Sequence, residues 1–291
     1  MRQDAVCWTV RGGRVLGPAP FLILGVLNAT PDSFFDGGNY ASLEAAVAQG
    51  RALALAGADI LDIGGESTRP NAVAVSAEEE MARVLPLVKT LAALDAEFPA
   101  APVISIDTTK AVVAAMALEA GAAIVNDVSA CRVDPDMRDA LVQYKPGYVL
   151  MHSQGRPADM QRNPVYTDVV EEILSFFHTQ LSALVRAGLP EDRVVLDPGV
   201  GFGKRLEHNL EILRRVGRFL ELGRPVLLGL SNKSLWGQLL GLAAQERGNA
   251  TQAATAIAAM KGVRLHRVHD VAATRQTLRV VVAMSRAHPN E

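Results

Sequence analysis

The stretch VISIDTTKAVVAAMALEAGAAIVND (residues 103–127) contains the unit from which the fold is built. Two short runs rich in Val and Ile, residues 103–107 and 123–127, flank a segment with helical periodicity at residues 111–122. Both runs are nearly continuous in apolar residues, which is typical of parallel strands covered on both faces. The stretch therefore predicts a β–α–β unit with two parallel strands.

The same unit repeats towards both ends of the chain. Further apolar runs of this kind occur at residues 23–28, 59–64, 148–152, 194–198, 226–231 and 264–269. Helical patterns alternate with them at residues 42–58, 76–94, 168–188, 208–222, 251–262 and 269–287. Eight strands that alternate along the chain with helical segments match the composition of a (β/α)8 barrel.

We therefore predict an α/β protein with a single domain at residues 1–291. A (β/α)8 TIM barrel is expected at residues 21–287, behind a short N-terminal β-hairpin at residues 1–20. The hairpin is indicated by the short runs WTV and RVL on either side of Gly12 and Gly13. A doubly wound open sheet is the alternative fold. It is disfavoured because the eight units are uniform and no GxGxxG motif follows the first strand.

Composition excludes several classes of function. The 291 residues are 49% hydrophobic and 21% charged with a net charge of -2, which gives no electrostatic case for binding nucleic acid or an anionic membrane. No apolar run has the length of a membrane span, and the first residues, MRQDAVCWTV, lack the apolar core of a secretory signal. Cys7 and Cys131 have neither disulfide nor zinc spacing. We expect a cytoplasmic protein.

Every predicted strand ends in side chains that form hydrogen bonds or carry charge. In chain order these are Asn28, Asp62, Glu66, Thr68, Arg69, Asp107, Asn126, Asp127, His152, Asp197, Ser231, Lys233, Arg267 and His269. In a barrel the carboxyl ends of the strands meet on one face, where the active sites of this fold are built. A single Asn, Asp or Ser at such an end is often only a turn former or a helix cap. Turn formation does not explain the cations, so the set predicts a ligand site.

The residue types indicate what this site binds. Carboxylates such as Asp107 and Asp197 suit a ligand with paired N–H donors. Asn126 both donates and accepts hydrogen bonds, which suits the edge of a heterocycle. Four residues suit a phosphate or pyrophosphate, namely Thr68, Arg69, Arg267 and His269. Asn28 can offer its amide oxygen to Mg²⁺, which takes few protein ligands.

Two further features have a structural interpretation beside the functional one. The segment DPGVGFGK (residues 197–204) looks like a phosphate loop but lacks the GxxxxGK[ST] spacing. We interpret its glycines as a backbone that approaches a flat ligand beside Asp197. His152 could act as an acid or a base, but it has no partner nearby in sequence and is interpreted as a structural or rim residue.

Eight motifs along the chain resemble those of the dihydropteroate synthase family: LNATPDSFFDGG, DILDIGGESTRP, ISIDTTK, IVNDVSA, VLMH, VVLDPGVGFGK, LLGLSNKS and RVHDV. The resemblance covers nearly the whole chain after the hairpin. It implies a TIM-barrel transferase of folate biosynthesis that condenses 6-hydroxymethyl-7,8-dihydropterin pyrophosphate with 4-aminobenzoate, giving 7,8-dihydropteroate and pyrophosphate. It also implies Mg²⁺ as cofactor, an enzyme of the kind that sulfonamides target, and a homodimer, for which the last helices are our candidate interface.

The resemblance assigns roles to particular residues. It implies a pterin pocket of Asp107, Asn126, Asp197 and Lys233. It implies a pyrophosphate site of Asn28 with Mg²⁺, Thr68, Arg69, Arg267 and His269. Phe202, Ser231 and Ser234 complete the expected substrate-binding set, with the carboxylate of 4-aminobenzoate placed near Ser234.

The implied mechanism is dissociative, so no catalytic nucleophile is expected. Electrostatic and positioning roles then fall to Arg69, Lys233, Arg267 and His269. The segments at residues 30–38 and 66–72 look like the two mobile loops of the family, which close over the substrates.

The chain departs from the family pattern at two positions. Asn232 stands where Arg commonly precedes the Lys of the seventh-strand motif, and Asn71 stands where Gly is common in the second loop. The absence of a flat cation at position 232 is expected to affect 4-aminobenzoate binding. The alternatives are a pterin-binding paralogue without synthase activity, a pterin-dependent methyltransferase barrel, and a structural barrel whose polar ring is incidental.

Overall fold

Eight parallel strands form the centre of the computed structural model, which describes residues 5–30, 40–67, 74–93, 101–155, 160 and 164–285. A two-stranded antiparallel hairpin, β1 (Val6–Thr9) and β2 (Val15–Ala19), precedes them. The parallel strands are β3 (Leu22–Asn28), β4 (Ile60–Gly64), β5 (Val103–Asp107), β6 (Ile124–Asp127), β7 (Gly147–Met151), β8 (Val194–Asp197), β9 (Leu227–Gly229) and β10 (Leu265–Val268). The predicted strands and hairpin are confirmed.

The strands lie side by side in chain order. Each pairs in parallel with the next from β3 to β8, and β10 pairs with both β9 and β3. A bridge between Leu196 of β8 and Val226, just before β9, completes the ring. The register also aligns the strand ends, since Gly64 lies opposite Asp107 and Asp107 lies opposite Asn126. The predicted barrel fold is therefore confirmed, and its polar strand ends are neighbours in space.

Helices surround the barrel. In the described part of the chain they are α1 (Tyr40–Leu55), α2 (Ala77–Ala92), α3 (Ala111–Glu119), α4 (Met137–Tyr144), α5 (Val169–Ala187), α6 (Leu206–Arg214), α7 (Ser234–Leu240), α8 (Gly248–Met260) and α9 (Val271–Ser285). The short helix α4 has no counterpart among the helical patterns identified in the sequence. The pattern at residues 208–222 divides into α6 and a 3₁₀ segment, Val216–Leu222, whose Gly217 is a poor helix former. None of the described helices is both long enough and apolar enough to cross a membrane.

Local signals fix the ends of the longer helices. Ser76 caps α2 by accepting a hydrogen bond from the Glu79 amide at 3.1 Å, and Pro86 lies inside this helix without dividing it. Asp168 caps α5 by accepting from the amides of Val170 and Glu171. Such caps satisfy N–H groups that have no partner within the helix.

The lower half of the barrel is an apolar core to which every parallel strand contributes. Its buried residues are Leu24, Ile60, Val103, Ile124, Val149, Val195, Leu227 and Leu265. The hairpin covers this layer with the fully buried Trp8, whose indole N–H donates to the carbonyl of Arg193 at 2.8 Å. A large apolar ring thus closes the amino-terminal end of the barrel, and its polar tip is satisfied.

The upper half of the barrel is polar because side chains alternate across a strand. Two positions beyond the apolar layer, five strands carry residues that face the same interior: Asp62, Ser105, Asn126, Asp197 and Arg267. The strand pattern that buries the core therefore also delivers these groups to the carboxyl end. The outer bounds of the predicted hairpin and barrel, at residues 1–4 and 286–287, lie outside the described residues.

Candidate active site

A fully buried carboxylate, Asp62, lies at the centre of the polar half of the barrel. Its Oδ1 accepts a hydrogen bond from Ser105 Oγ at 2.6 Å. Its Oδ2 accepts from Asn126 Nδ2 at 3.0 Å and from Arg267 Nε at 2.6 Å. Three donors on three different strands thus stabilise a group whose burial alone is costly. The sequence placed Asp62 among the polar strand ends but indicated no role for it.

Arg267 connects two carboxylates across the barrel. Its Nε binds Asp62, and its Nη2 binds Asp107 Oδ2 at 2.6 Å. Burial lowers the pKa of the guanidinium, but the attraction of Asp62 and Asp107 outweighs it and raises the pKa above the ordinary value. Arg267 therefore stays charged. Its third nitrogen, Nη1, has no hydrogen bond to the described residues and is available to a ligand.

Asp107 is the carboxylate with the clearest capacity for a ligand. It is buried, and its Oδ1 has no hydrogen-bond partner among the described residues. Burial raises the pKa of Asp107 to about 7, against the lowering effect of Arg267 and with further raising by Asp62, Glu80 and Asp127. A buried acceptor without a partner costs stability. Such a group is a sign of a functional site.

Asp197 stands at the end of β8 with one oxygen engaged. Its Oδ1 accepts from the Gly199 amide at 2.7 Å, and its Oδ2 receives no hydrogen bond from the described residues. Burial raises the pKa of this carboxyl, while the Gly199 amide and the charges of Lys233, Lys204 and Arg267 oppose the rise. Asp197 thus offers a second acceptor to a ligand.

Lys233 lies over the loop that follows β8. Its Nζ is 4.4 Å from the centre of the Phe202 ring, a cation–π distance. Gly201 lies beside this side chain at φ +85°, a backbone conformation that residues with a Cβ rarely adopt. Burial lowers the pKa of Lys233 to about 8, while Asp197 and Asp107 favour the charged form. The structure therefore brings Phe202, Lys233 and Asp197 together.

Lys204 is a buried cation whose role sequence reasoning missed. Its Nζ lies 2.9 to 3.2 Å from the carbonyl oxygens of Phe202, Gly199 and His152 and 3.1 Å from His152 Nδ1. Burial lowers the pKa of Lys204 to about 7, against the attraction of Asp197. Lys204 made residues 197–204 resemble a phosphate loop, but its hydrogen bonds instead hold that loop in place within the protein. The sequence signal for this buried role was a charged residue that directly follows three closely spaced glycines, in a loop with little room for a long side chain.

His152 takes a structural place in this arrangement. Burial, together with the charges of Lys204 and Arg132, lowers its pKa to about 2, so the ring is neutral. Its Nδ1 accepts from Lys204, and the ring packs edge-on against Phe176 with centroids 4.9 Å apart. The interpretation of His152 as a structural residue fits these contacts better than an acid–base role does.

Asp127 also serves the scaffold. Its Oδ1 accepts from the Ser129 amide at 2.7 Å, and its Oδ2 accepts from the Cys131 amide at 2.7 Å and from Tyr148 Oη at 3.1 Å. Both oxygens are therefore satisfied within the protein. This separates Asp127 from Asp107 and Asp197, although all three end a strand.

Ser231 and His269 join the ends of the last two strands. His269 is exposed, its Nδ1 lies 3.1 Å from Ser231 Oγ, and its amide donates to the same oxygen at 3.3 Å. The hydroxyl thereby orients the imidazole at the rim, two residues beyond Arg267. An exposed imidazole and an available guanidinium nitrogen on one strand end suit a bound anion.

The remaining predicted residues are placed less fully. Thr68, Arg69 and Asn71 lie outside the described residues, as do most of the segments at residues 30–38 and 66–72. Asn28 ends β3 half-buried, and its side chain has no hydrogen bond to the described residues. Ser234 is exposed and begins α7, which has only seven residues, so the helix dipole at this end is small.

A second ionic cluster joins the segments that follow β4 and β5 to the first turn of α2. Lys110 Nζ contacts the carboxylates of Glu66 and of the fully buried Glu80, the latter at 2.5 Å. Glu66 Oε1 also accepts from the Val75 amide at 3.4 Å. These contacts tie α2 and the start of α3 to the segment after β4. The sequence named Glu66 but indicated neither of its partners.

Metal binding depends on few residues here. Within the described ranges, no group of three or more His, Cys, Asp and Glu side chains could hold a metal ion. A site of the magnesium type does not need such a cluster, because Mg²⁺ keeps several waters and takes one or two protein oxygens. The amide oxygen of Asn28, at a strand end and without a described partner, fits that requirement.

Comparison with known proteins places this arrangement in context. The profile of the family described as pterin binding enzyme matches residues 24–269. Dihydropteroate synthase of Escherichia coli (strain K12) is 42% identical over 269 residues, which cover 92% of this chain and 93% of that protein. The structure of Yersinia pestis dihydropteroate synthase in a sulfonamide drug complex superimposes with a TM-score of 0.88 at 39% identity, covering 97% of this chain and 100% of that one. Xanthomonas albilineans dihydropteroate synthase with 4-aminobenzoic acid gives a TM-score of 0.87 at 43% identity, with the same coverage.

Proposed function

This chain belongs to the pterin-binding enzymes, and within them to the dihydropteroate synthase family, and on that basis we propose how its own residues carry out the reaction. It is a transferase that makes dihydropteroate in folate biosynthesis. The proposed substrates are 6-hydroxymethyl-7,8-dihydropterin pyrophosphate and 4-aminobenzoate, the acid bound by the Xanthomonas albilineans relative.

One observation carries the assignment of the pterin pocket. Three inward-facing side chains at the ends of β5, β6 and β8, Asp107, Asn126 and Asp197, each keep an oxygen that accepts no hydrogen bond from the described residues. A pterin ring has an amino group and ring N–H groups along one edge, and these donors match such acceptors. Lys233 supplies a donor for the ring oxygen on the other side. The pocket is therefore complementary to the donors and acceptors of the pterin edge.

The pyrophosphate end of the substrate fits the rim of β10. Arg267 and His269 both lie at the carboxyl end of β10, and Thr68 and Arg69 complete the proposed set. Arg267 is held by Asp62 and Asp107, so its charge is already oriented before a ligand arrives. Preorganised charge of this kind stabilises a leaving group without a cost of reorganisation.

The chemistry requires no nucleophilic side chain. The C–O bond to pyrophosphate breaks, and its electron pair leaves with pyrophosphate, so the pterin methylene becomes part of a delocalised cation. The amine of 4-aminobenzoate then forms the new C–N bond and loses a proton to solvent. The protein has to neutralise the departing anion, hold the cation near Asp107 and Asp197, and exclude competing water.

We propose Mg²⁺ as the cofactor, with Asn28 as its protein ligand. The Asn28 amide oxygen at the end of β3, which has no partner among the described residues, fits a hard cation that takes few protein ligands. The ion would supply charge neutralisation to the pyrophosphate group.

We also propose a homodimer in which α8 and α9 form the interface. Four large apolar side chains on these two helices are exposed, with Met260 67% and Met284 80% accessible and Ile257 and Val280 above half. Exposed apolar groups that cluster on adjacent helices are typical of subunit contacts. The proposed cellular location is the cytoplasm, where the unpaired thiols of Cys7 and Cys131 would stay reduced.

The function is tested by incubating the purified protein with both substrates and Mg²⁺. We expect pyrophosphate release that requires the pterin pyrophosphate and 4-aminobenzoate together, with dihydropteroate formed in equal amount. We also expect a sulfonamide to compete with 4-aminobenzoate. Binding of the pterin substrate without any turnover would instead indicate a pterin-binding paralogue.

A further inference from the structure

We propose that Asp62 is a positioning residue of the pterin site, which fixes the orientation of both the Asn126 amide and the Arg267 guanidinium. This inference rests on the proposed function, because it concerns the same pocket. Asp62 is fully buried and is held within the protein by three donors, so it acts through its neighbours and not on the ligand.

The amide of Asn126 has two possible orientations, which present opposite groups to a ligand. A carboxylate accepts hydrogen bonds only, so the group that faces Asp62 Oδ2 at 3.0 Å is the Nδ2 donor. The opposite atom, Oδ1, is then the end of the amide that faces a ligand. Asp62 thereby makes Asn126 a hydrogen-bond acceptor towards the ligand. Asn126 then favours a ring edge with N–H groups and disfavours one that offers lone pairs.

The guanidinium of Arg267 is fixed in the same way. Its Nε binds Asp62 and its Nη2 binds Asp107, and these two contacts define the plane of the group. Nη1, which has no hydrogen bond to the described residues, is the nitrogen that remains for the leaving pyrophosphate. Without Asp62, the single contact to Asp107 would let the guanidinium rotate, and the direction of this donor would be lost.

Ser105 provides a matched control within the same buried layer. Its hydroxyl donates to Asp62 Oδ1, the oxygen that does not contact Asn126 or Arg267. Ser105→Ala therefore removes one hydrogen bond to Asp62 and keeps both of the contacts on which the proposal rests. If Asp62 had only a structural role, Asp62→Asn and Ser105→Ala would change pterin affinity and its pH dependence in the same way.

Electrostatics provide a readout that packing alone would not change. The groups that act on Asp107 are Arg267 from β10, Asp62 from β4, Glu80 from α2 and Asp127 from β6. Asp62 is one of the carboxylates that raise the pKa of Asp107. Removing its charge should lower that pKa, so that the pH dependence of pterin binding moves to lower pH.

The experiment compares wild type, Asp62→Asn and Ser105→Ala by calorimetry with the pterin pyrophosphate between about pH 6 and pH 9, and by steady-state kinetics. We expect Asp62→Asn to weaken pterin binding at about pH 8 by tenfold or more, to move the pH midpoint downwards, and to change the KM for 4-aminobenzoate by less than twofold. Ser105→Ala should stay within about threefold and keep the midpoint. Wild-type affinity and midpoint in Asp62→Asn would overturn the proposal, as would equal effects on both substrates.

Two substitutions of Asn126 decide the question if Asp62→Asn does not fold. Asn126→Asp places a carboxylate against Asp62, whereas Asn126→Ala only removes the amide. We expect Asn126→Asp to bind the pterin substrate at least threefold more weakly than Asn126→Ala at about pH 8, with the gap narrowing at lower pH. Equal affinities would contradict the role of Asp62. If wild type forms no product from both substrates, the proposed function is wrong. If wild type is active and the variants bind the pterin substrate as wild type does, only the proposed role of Asp62 is wrong.

Discussion

Arg267 Nη2 and Asp107 Oδ2 lie 2.6 Å apart, on strands β10 and β5, which are separated in the barrel by β3 and β4. The pair leaves Asp107 Oδ1 buried without a partner among the described residues, beside a cation that Asp62 also holds. A carboxyl group in this setting is poised between two protonation states. The proposed binding of the pterin substrate at Asp107 is therefore expected to depend on pH.

The first prediction concerns this pH dependence. The pKa of Asp107 is raised to about 7, so the group is ionised above that pH and takes up a proton below it. Protonation removes the charge and an acceptor, so affinity for the pterin substrate should fall as the pH drops from about 8 to about 6, by up to tenfold per pH unit below the pKa. Calorimetry across this range measures the effect, and Asp107→Asn should bind weakly with a flat profile. A slope that persists in Asp107→Asn would assign the titration to another group.

His269→Ala tests the anion site. The exposed imidazole can be removed without leaving a buried charge, unlike Arg267, whose loss would strand Asp62 and Asp107. Hydrogen bonds to charged groups contribute about 1.5–3 kcal/mol, so the KM for the pterin pyrophosphate should rise about tenfold or more. Binding of a pterin without pyrophosphate should change little. If both ligands weaken equally, His269 acts on the ring and not on the anion.

Removal of the metal is the third test. Chelation with EDTA should lower the rate of pyrophosphate release at least tenfold, because the leaving group then carries unneutralised charge. Added Mg²⁺ should restore the rate in wild type, and Asn28→Ala should need a higher Mg²⁺ concentration. Turnover that is indifferent to EDTA would exclude the proposed metal role of Asn28.

Asn232→Arg tests the main departure from the family pattern. Asn232 has a left-handed backbone, φ 56°, which Asn tolerates better than Arg does. The substitution should lower the free energy of unfolding by about 1 kcal/mol. The added guanidinium can still stack on an aromatic acid, a contact worth roughly 0.5–2 kcal/mol, so the KM for 4-aminobenzoate should fall a few-fold.

Asn232→Gly is the control for this backbone effect, because Gly adopts the left-handed conformation freely. It should keep the stability of the wild type and gain no affinity for 4-aminobenzoate. Arg247 already donates to the Asn232 carbonyl at 3.2 Å, so the new side chain has to share this space. A change confined to the KM of the pterin substrate would show that position 232 faces the other half of the site.

The fold and the location of the site could be predicted from the sequence for a physical reason. Parallel strands covered on both faces need continuous apolar runs, and polar residues at their carboxyl ends then meet on one face. Both signals are local in the chain. The strand at residues 103–107, for example, was predicted with the bounds that the structure shows.

The pairings within the site could not be predicted in this way. Asp62 and Arg267 are 205 residues apart in sequence, and their contact depends on the register and stagger of strands that are not adjacent. Burial of Lys204 depends on a loop that folds back on β7, and the same residue types occur in open phosphate loops. Local pattern shows which side chains face inwards but not which of them bind one another.

The central claim is that Asp107 and Asp197, which each keep one carboxylate oxygen for a ligand, accept hydrogen bonds from the N–H groups of the pterin edge. Asp197→Asn tests this claim most directly. This change replaces an acceptor with an amide donor, and a mismatched buried polar group costs about 1–3 kcal/mol. Asp127→Asn is the matched control, because Asp127 also ends a strand but both its oxygens are satisfied within the protein. The deciding measurement is calorimetry with the pterin pyrophosphate at about pH 8. The account predicts that Asp197→Asn binds at least about tenfold more weakly than wild type while folded Asp127→Asn binds as wild type does, and unchanged affinity in Asp197→Asn would contradict it.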